Sequence, residues 1–198
     1  MDIAQLICEF RPAHLILNPL GRGRAQHFYR HTKDLFAGQN TVLDLGCGLG
    51  HLSQLLIQKG LRVTSVDIKN LCIVDRLKPL IYDGRHLPFP DRHFDLALIS
   101  TVLHHTPHPE RVISEAARVS RRLIIIEEIY HHPLQRYLTF FFDSLSNLDF
   151  THHPHTNKTD AQWRQLFKIL HLDVQKASYF TSYIIFQSVA YLLTPTSS

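Results

Sequence analysis

The stretch "VLDLGCGLGHLSQLL", residues 42–56, joins an apolar run to a run with leucines at helical spacing, and between them glycine fills every second position as Gly46, Gly48 and Gly50. The whole chain has 8 glycines, so three within five residues mark a turn with unusual backbone demands. Glycine permits positive φ and lets a ligand come against bare backbone. The stretch therefore reads as a buried strand, a turn built for something lying across it, and a helix.

The same pattern continues on both sides. A helical arm is expected to about Phe36, with Gly38 as its C-cap, before the strand "TVLDLG" (41–46). The helix over 51–59 places Leu52, Leu55 and Leu56 on one face and closes at Gly60. Further strands are predicted in "LRVTSVDI" (61–68), "PLIYDG" (79–84), "FDLALIS" (94–100) and "RRLIIIEE" (121–128). An amphipathic helix over 109–119 turns Val112, Ile113, Ala116 and Val119 inward. Strands alternating with helices call for a parallel sheet with right-handed crossovers. The last third reads as helices over 133–148 and 160–170, then strands over 172–180 and 182–193 joined by a tight turn near Thr181. The expected fold class is α/β, a doubly wound Rossmann-like seven-stranded sheet, mostly parallel with an antiparallel C-terminal hairpin. One domain is expected over 1–198, with an N-terminal arm (1–38), a cofactor-binding core (41–128), and a lid helix followed by a helix and hairpin (129–198).

Composition narrows the function classes. A chain of 198 residues with 44% hydrophobic and 19% charged content suits a single globular core. No apolar run is long and clean enough for a transmembrane span. Asp2 and Glu9 stand where a secretory signal would carry early positive charge. Three cysteines, Cys8, Cys47 and Cys72, without CxxC spacing fit a reducing compartment, so a cytoplasmic location is expected. The net charge of +4 is mild. Arg22 with Arg24, and Arg121 with Arg122, read as solvated faces, and no nucleic-acid partner is expected.

The spacing of the glycines bears on the ligand. A dinucleotide fingerprint needs G-x-G-x-x-G, whereas here the pattern is G-x-G-x-G and His51 stands where the third glycine of that fingerprint would be. Asp44, inside the strand, would repel a pyrophosphate but suits a ligand carrying an ammonium or sulfonium group. A neutral or cationic nucleoside is favoured over NAD.

An acid followed by G-x-G-x-G, here Asp44, Gly46, Gly48 and Gly50, resembles the first motif of class I S-adenosylmethionine-dependent methyltransferases. The resemblance runs over 41–128. It implies S-adenosylmethionine as cofactor, lying across Leu45, Gly46, Cys47, Gly48 and Gly50. It also implies Asp67 on the ribose hydroxyls, Ile68 on the adenine face, Asp83 on the adenine amine, Gly84 and Arg85 along the ring, and Ser100 with the residues to Leu103 beside the methionine moiety. The segment 87–105 looks like the small-molecule branch that includes quinone-biosynthesis enzymes. Two departures stand out: "IKNLCIVDRLKP" is shorter than the family's usual helix, and "VSRR" replaces the usual Pro-Gly-Gly turn.

His104 and His105 follow the fourth strand, placing either as a general base or as a wall of the pocket. Glu128, Asp143 and Asn147 are the candidate substrate residues, the last two one helical turn apart in the Phe-rich lid. The 15 histidines fall in adjacent pairs or loops without ligand spacing, so no metal is expected. The expected activity is methyl transfer to a small, apolar or aromatic acceptor. A non-catalytic S-adenosylmethionine-binding module acting through a partner and an NAD-dependent oxidoreductase are the alternatives.

Overall fold

The computed structural model describes residues 3–130, 157–182 and 186–196. The expected lid helix over 133–148, with Asp143 and Asn147, lies outside the described residues.

The sheet grows outward from β1 (Thr41–Leu45), which pairs in parallel with β2 (Arg62–Asp67) on one side and β4 (Phe94–Ser100) on the other. β3 (Leu80–Ile81) extends the first side, and β5 (Ser120–Ile129) the second. β6 (Leu172–Ser182) and β7 (Phe186–Pro195) form the antiparallel hairpin, with β7 inserted between β5 and β6. The order is β3-β2-β1-β4-β5-β7-β6. Consecutive crossovers leave β1 in opposite directions, which opens a crevice at the carboxyl edge beside it.

Alternation along the strands divides the core into two layers. Leu43, Leu45, Ala97, Ile99, Leu123 and Ile125 face α4 (Pro109–Val119) and α5 (Asp160–Ile169), where Val112, Ile113, Ala116, Trp163 and Phe167 meet them. Val42, Leu96, Leu98, Ile124 and Ile126 face the other way, onto Leu56 of α3 (His51–Gln58) and Phe28 of α2 (His14–Thr32). A strand apolar at every position is buried on both faces, as the period-2 geometry of a covered parallel sheet requires. A short helix, α1 (Ile3–Glu9), precedes α2.

Two expectations need correction. β3 spans only Leu80–Ile81 because Tyr82 onward turns away after one hydrogen bond to the Asp67 carbonyl. The hairpin turn is not at Thr181, since β6 runs on through Ser182, where a serine pair with Ser188 continues the ladder. The segment between Asp67 and β3 carries no helix; it tucks beneath the glycine turn, with the Ile73 amide donating to the Leu49 carbonyl.

α5 is fixed at both ends of its apolar stripe. A capping box between Thr159 and Gln162 sets its start, and Trp163 and Phe167, both fully buried, lie one turn apart against Tyr191 of β7. Trp163→Ala is expected to lower the unfolding free energy by about 3–5 kcal/mol in urea titration. Ile169→Ala, at a position 61% exposed, should stay within about 0.5 kcal/mol of wild type.

Candidate active site

The register brings the strand ends level. One step beyond the paired residues Leu45, Val66 and Ile99 come Gly46, Asp67 and Ser100. Gly46, Gly48 and Gly50 have φ of +80°, +51° and +84°, a region that costs an L-residue about 1–2 kcal/mol. Their surroundings differ. A Cβ on Gly46 would come within 2.3 Å of Val102 Cγ2, and one on Gly50 within 2.6 Å of Cys72 Sγ and 2.7 Å of Leu77 Cδ2. One on Gly48 would meet nothing within 4 Å. The outer glycines let the chain pack closely, and the middle one presents bare backbone to open space.

Asp67 closes this turn from the neighbouring strand. Its Oδ2 accepts the Gly48 amide at 2.8 Å, and its Oδ1 accepts the Ile68 amide at 2.7 Å. Oδ1 also accepts the Lys69 amide at 3.4 Å, so the open acceptor capacity lies on Oδ2, which keeps a second lone pair for a hydroxyl donor. Ile68 is 55% exposed beside it, and its Cγ2 would lie 3.4 Å from a Cβ on Gly84. Asp83 folds back to accept the Arg85 and His86 amides at 2.8 and 3.0 Å, and these bonds hold its carboxyl below the usual range. Bare backbone, a carboxylate, an exposed apolar side chain and a second carboxylate thus follow one another along the edge from β1 to β3. That donor-acceptor sequence fits a nucleoside, and the residues implied for S-adenosylmethionine are brought together.

Asp44 has a different place from the one its charge suggested. It is 2% exposed beneath the turn and accepts Ser53 Oγ at 2.5 Å, while Ser65 donates on to Ser53 at 2.7 Å. The chain of three residues ties β1, α3 and β2 together and leaves Asp44 no open face. Burial pushes its carboxyl up to about 6, opposed by the Ser53 hydrogen bond and aided by Asp67. Cys47 is half-buried, and burial first of all, then Asp44 and Asp67, raises its thiol pKa.

The histidine pair divides by burial. His104 is 4% exposed, and its Nδ1 lies 2.6 Å from Glu127 Oε2, while Glu127 Oε1 accepts the Val102 and Leu103 amides at 3.0 and 2.8 Å. His104 is therefore a buried brace of the loop after β4, not a side chain open to an acceptor. Leu103 is buried too, so it does not border a ligand. His105 is the half-buried member, its ring 3.9 Å from that of His104. Glu128 points to the opposite face of β5 from Glu127, toward Ser182 Oγ at 3.5 Å.

Sequence reasoning missed how α2 crosses this edge. Asn18 Oδ1 accepts His51 Nε2 at 2.9 Å, Arg24 donates to Thr101 Oγ1 at 2.7 Å, and His27 donates to the Thr181 carbonyl at 2.9 Å. These contacts step from α3 to the ends of β4 and β6. Gly21 makes the approach of α2 to His51 feasible, since a Cβ there would fall 2.3 Å from His51 Nδ1. The only local signal was the pair of glycines at 21 and 23 in a helical run. Among the described residues, no group of histidine, cysteine and carboxylate side chains is arranged to hold a metal.

Residues 43–123 match a family described as "Methyltransferase domain". Over 122 residues the chain is 32% identical to a ubiquinone biosynthesis O-methyltransferase of Idiomarina loihiensis, covering 56% of this chain and 47% of that one. It is 29% identical over 146 residues to a demethylmenaquinone methyltransferase of Paenarthrobacter aurescens, covering 67% and 56%. Residues 43–123 are thus similar to a methyltransferase domain. The chain spans about half the length of the first of these curated relatives. The likeness of fold extends over the whole chain: the structure described as "Complex between the Haloferax volcanii Trm112 methyltransferase activator and the putative methyltransferase" superposes with a TM-score of 0.72 at 15% identity, covering 100% of this chain and 99% of that one.

The glycine turn generates one prediction. Gly48→Ala and Gly50→Ala carry similar backbone strain, but Gly50→Ala also overlaps Cys72 and Leu77, so it should lose about 1–3 kcal/mol more in chemical denaturation. Asp44 generates another. An unfolded aspartate titrates near 3.9, so between about pH 4 and 6 the native state holds this proton more tightly, and stability falls as pH rises through that window. Asp44→Asn should melt at a higher temperature than wild type above about pH 7, with the advantage gone below about pH 4.

Proposed function

We propose that this protein transfers the methyl group of S-adenosylmethionine to an oxygen, nitrogen or carbon nucleophile of a small apolar or aromatic acceptor in the cytoplasm. The observation that carries the proposal is the open face of Gly48, braced by the Asp67 carboxylate. The names of the curated relatives, which concern ubiquinone biosynthesis and demethylmenaquinone, support an aromatic acceptor for the core they share with this chain.

When bound, the cofactor supplies a methyl group on a sulfonium, already a good leaving group. The chain's task is then to hold, align and exclude water. Asp67 would accept a hydrogen bond from the ribose hydroxyls, and Asp83 would accept one from the adenine amine. Ile68 covers one adenine face, with the backbone of Gly84 and Arg85 along the ring. Leu45, Gly46, Cys47, Gly48 and Gly50 form the floor, and Ser100 borders the methionine portion. Ionised above about pH 6, Asp44 adds negative potential beneath the floor, which favours a cationic ligand. His105 lines the acceptor side and takes the acceptor's proton where the nucleophile carries one. His104 and Glu127 hold the 102–105 loop in place. Glu128 contributes a polar handle for the acceptor, together with Asp143 and Asn147 of the segment after β5.

Isothermal calorimetry should show S-adenosylhomocysteine binding with micromolar affinity and no saturable binding of NAD. Asp67→Ala should weaken the former by about 2 kcal/mol, roughly thirtyfold, with an unchanged circular dichroism spectrum. Saturable NAD binding without a response to S-adenosylhomocysteine would overturn the proposal.

A further inference from the structure

α2 has two faces. Asn18, Gly21, Arg24, Ala25 and Phe28 turn toward the sheet edge and its helices. On the opposite side Leu15, Ile16, Pro19 and Leu20 follow i, i+1, i+4, i+5 spacing, which confines them to an arc of about 140° at 100° per residue. All four are solvent-exposed, Leu15 at 80%, Ile16 at 67% and Leu20 at 66%, and Phe10 just before them is 62% exposed. Along the same arc, two and more turns further on, come Gln26 and Arg30, with Arg22 at its margin, all exposed. From Phe10 to Lys33 the chain has arginine at 11, 22, 24 and 30 and lysine at 33, and no acidic residue.

We propose that the outer face of this arm docks the protein on the surface of an anionic phospholipid bilayer. Phe10, Leu15, Ile16 and Leu20 enter the boundary between headgroups and acyl chains, and Arg11, Arg22 and Arg30 lie on the lipid phosphates. A bilayer surface has the matching order, an apolar phase beneath a negatively charged layer. A second copy of the chain does not match: in a two-fold contact the patch meets itself, so arginines would face arginines with no carboxylate between them. The arm lies on the surface and does not span it, and no helix among the described residues is long and apolar enough to cross a membrane. The inner face of the same helix reaches His51 and Thr101 at the edge of the candidate site. Docking therefore sets the mouth of that site at the bilayer, where an apolar acceptor concentrates; this last consequence rests on the methyl-transfer proposal, and the docking itself does not.

The test is flotation of the full chain with vesicles of phosphatidylcholine and phosphatidylglycerol in equal parts, beside vesicles of phosphatidylcholine alone. The chain should float with the anionic vesicles at low salt, much less with the neutral ones, and be released by high salt. The triple variant Leu15→Asp, Ile16→Asp, Leu20→Asp should lose flotation. Arg22→Gln with Arg30→Gln should weaken it by about fivefold per residue. Both variants should keep wild-type melting temperature and S-adenosylhomocysteine affinity, because the altered side chains face solvent. Absence of flotation by the wild type, or flotation that both variants retain, would overturn the proposal. So would a wild-type dimer in sedimentation that the triple variant dissociates without any lipid binding, which would assign the face to a second copy. Flotation is read without cofactor or acceptor, so its failure leaves the methyl-transfer proposal standing, and loss of S-adenosylhomocysteine binding leaves the docking standing.

Discussion

The hydrogen bond from the Gly48 amide to the Asp67 carboxylate, 2.8 Å long, joins the two strand ends between which the candidate site lies. The Gly46 and Cys47 amides already hold the start of the turn to the Val66 carbonyl at 2.8 and 3.2 Å, and the Asp67 bond fixes its middle glycine. With it, the turn is tied to β2 on one side and, through Asp44, Ser53 and Ser65, to α3 and β2 underneath. A site needs this kind of support, because a cofactor is aligned only as well as the backbone it lies on. The arrangement also separates two acids that look alike in sequence. Asp44 is spent on the interior, and Asp67 stands at the surface with acceptor capacity left.

Much of the fold was legible because its strands bury both faces. Runs such as "LIII" in β5 and "LALI" in β4 have no reason to be apolar at every position unless helices cover the sheet on both sides, and the glycines at 38, 46, 50 and 60 punctuate the elements they bound. The places that were misread are those where tertiary contacts override local pattern. β3 is short because the chain turns away from β2 after Tyr82 donates to the Asp67 carbonyl, a turn nothing in the local pattern announces. The hairpin turn, expected near Thr181, comes later because β6 runs on through Ser182, whose hydroxyl is paired within the sheet.

The site was legible in its cofactor half and less so in the other. Glycine spacing, a strand-ending aspartate and an Asp-Gly turn are local signals, and the structure sets them side by side. The division of roles between His104 and His105 is not local. It depends on Glu127, 23 residues further on, whose neighbour Glu128 points the other way only because a strand alternates. The crossing of α2 over the carboxyl edge depends on contacts 33, 77 and 154 residues apart in sequence. Nothing in the arm's own sequence states those partners; what it does show is which of its faces is left to solvent, and that face is apolar and basic.

The central claim is that a nucleoside cofactor lies over Gly48 between Asp67 and Asp83. Titration of the isotopically labelled chain with S-adenosylhomocysteine, followed by amide nuclear magnetic resonance, tests it residue by residue. The account predicts saturable shifts at the amides of Gly48, Ile68 and Gly84, all with one dissociation constant, and none at α5. Saturable binding that leaves those three amides unmoved while shifting another part of the sheet would contradict it.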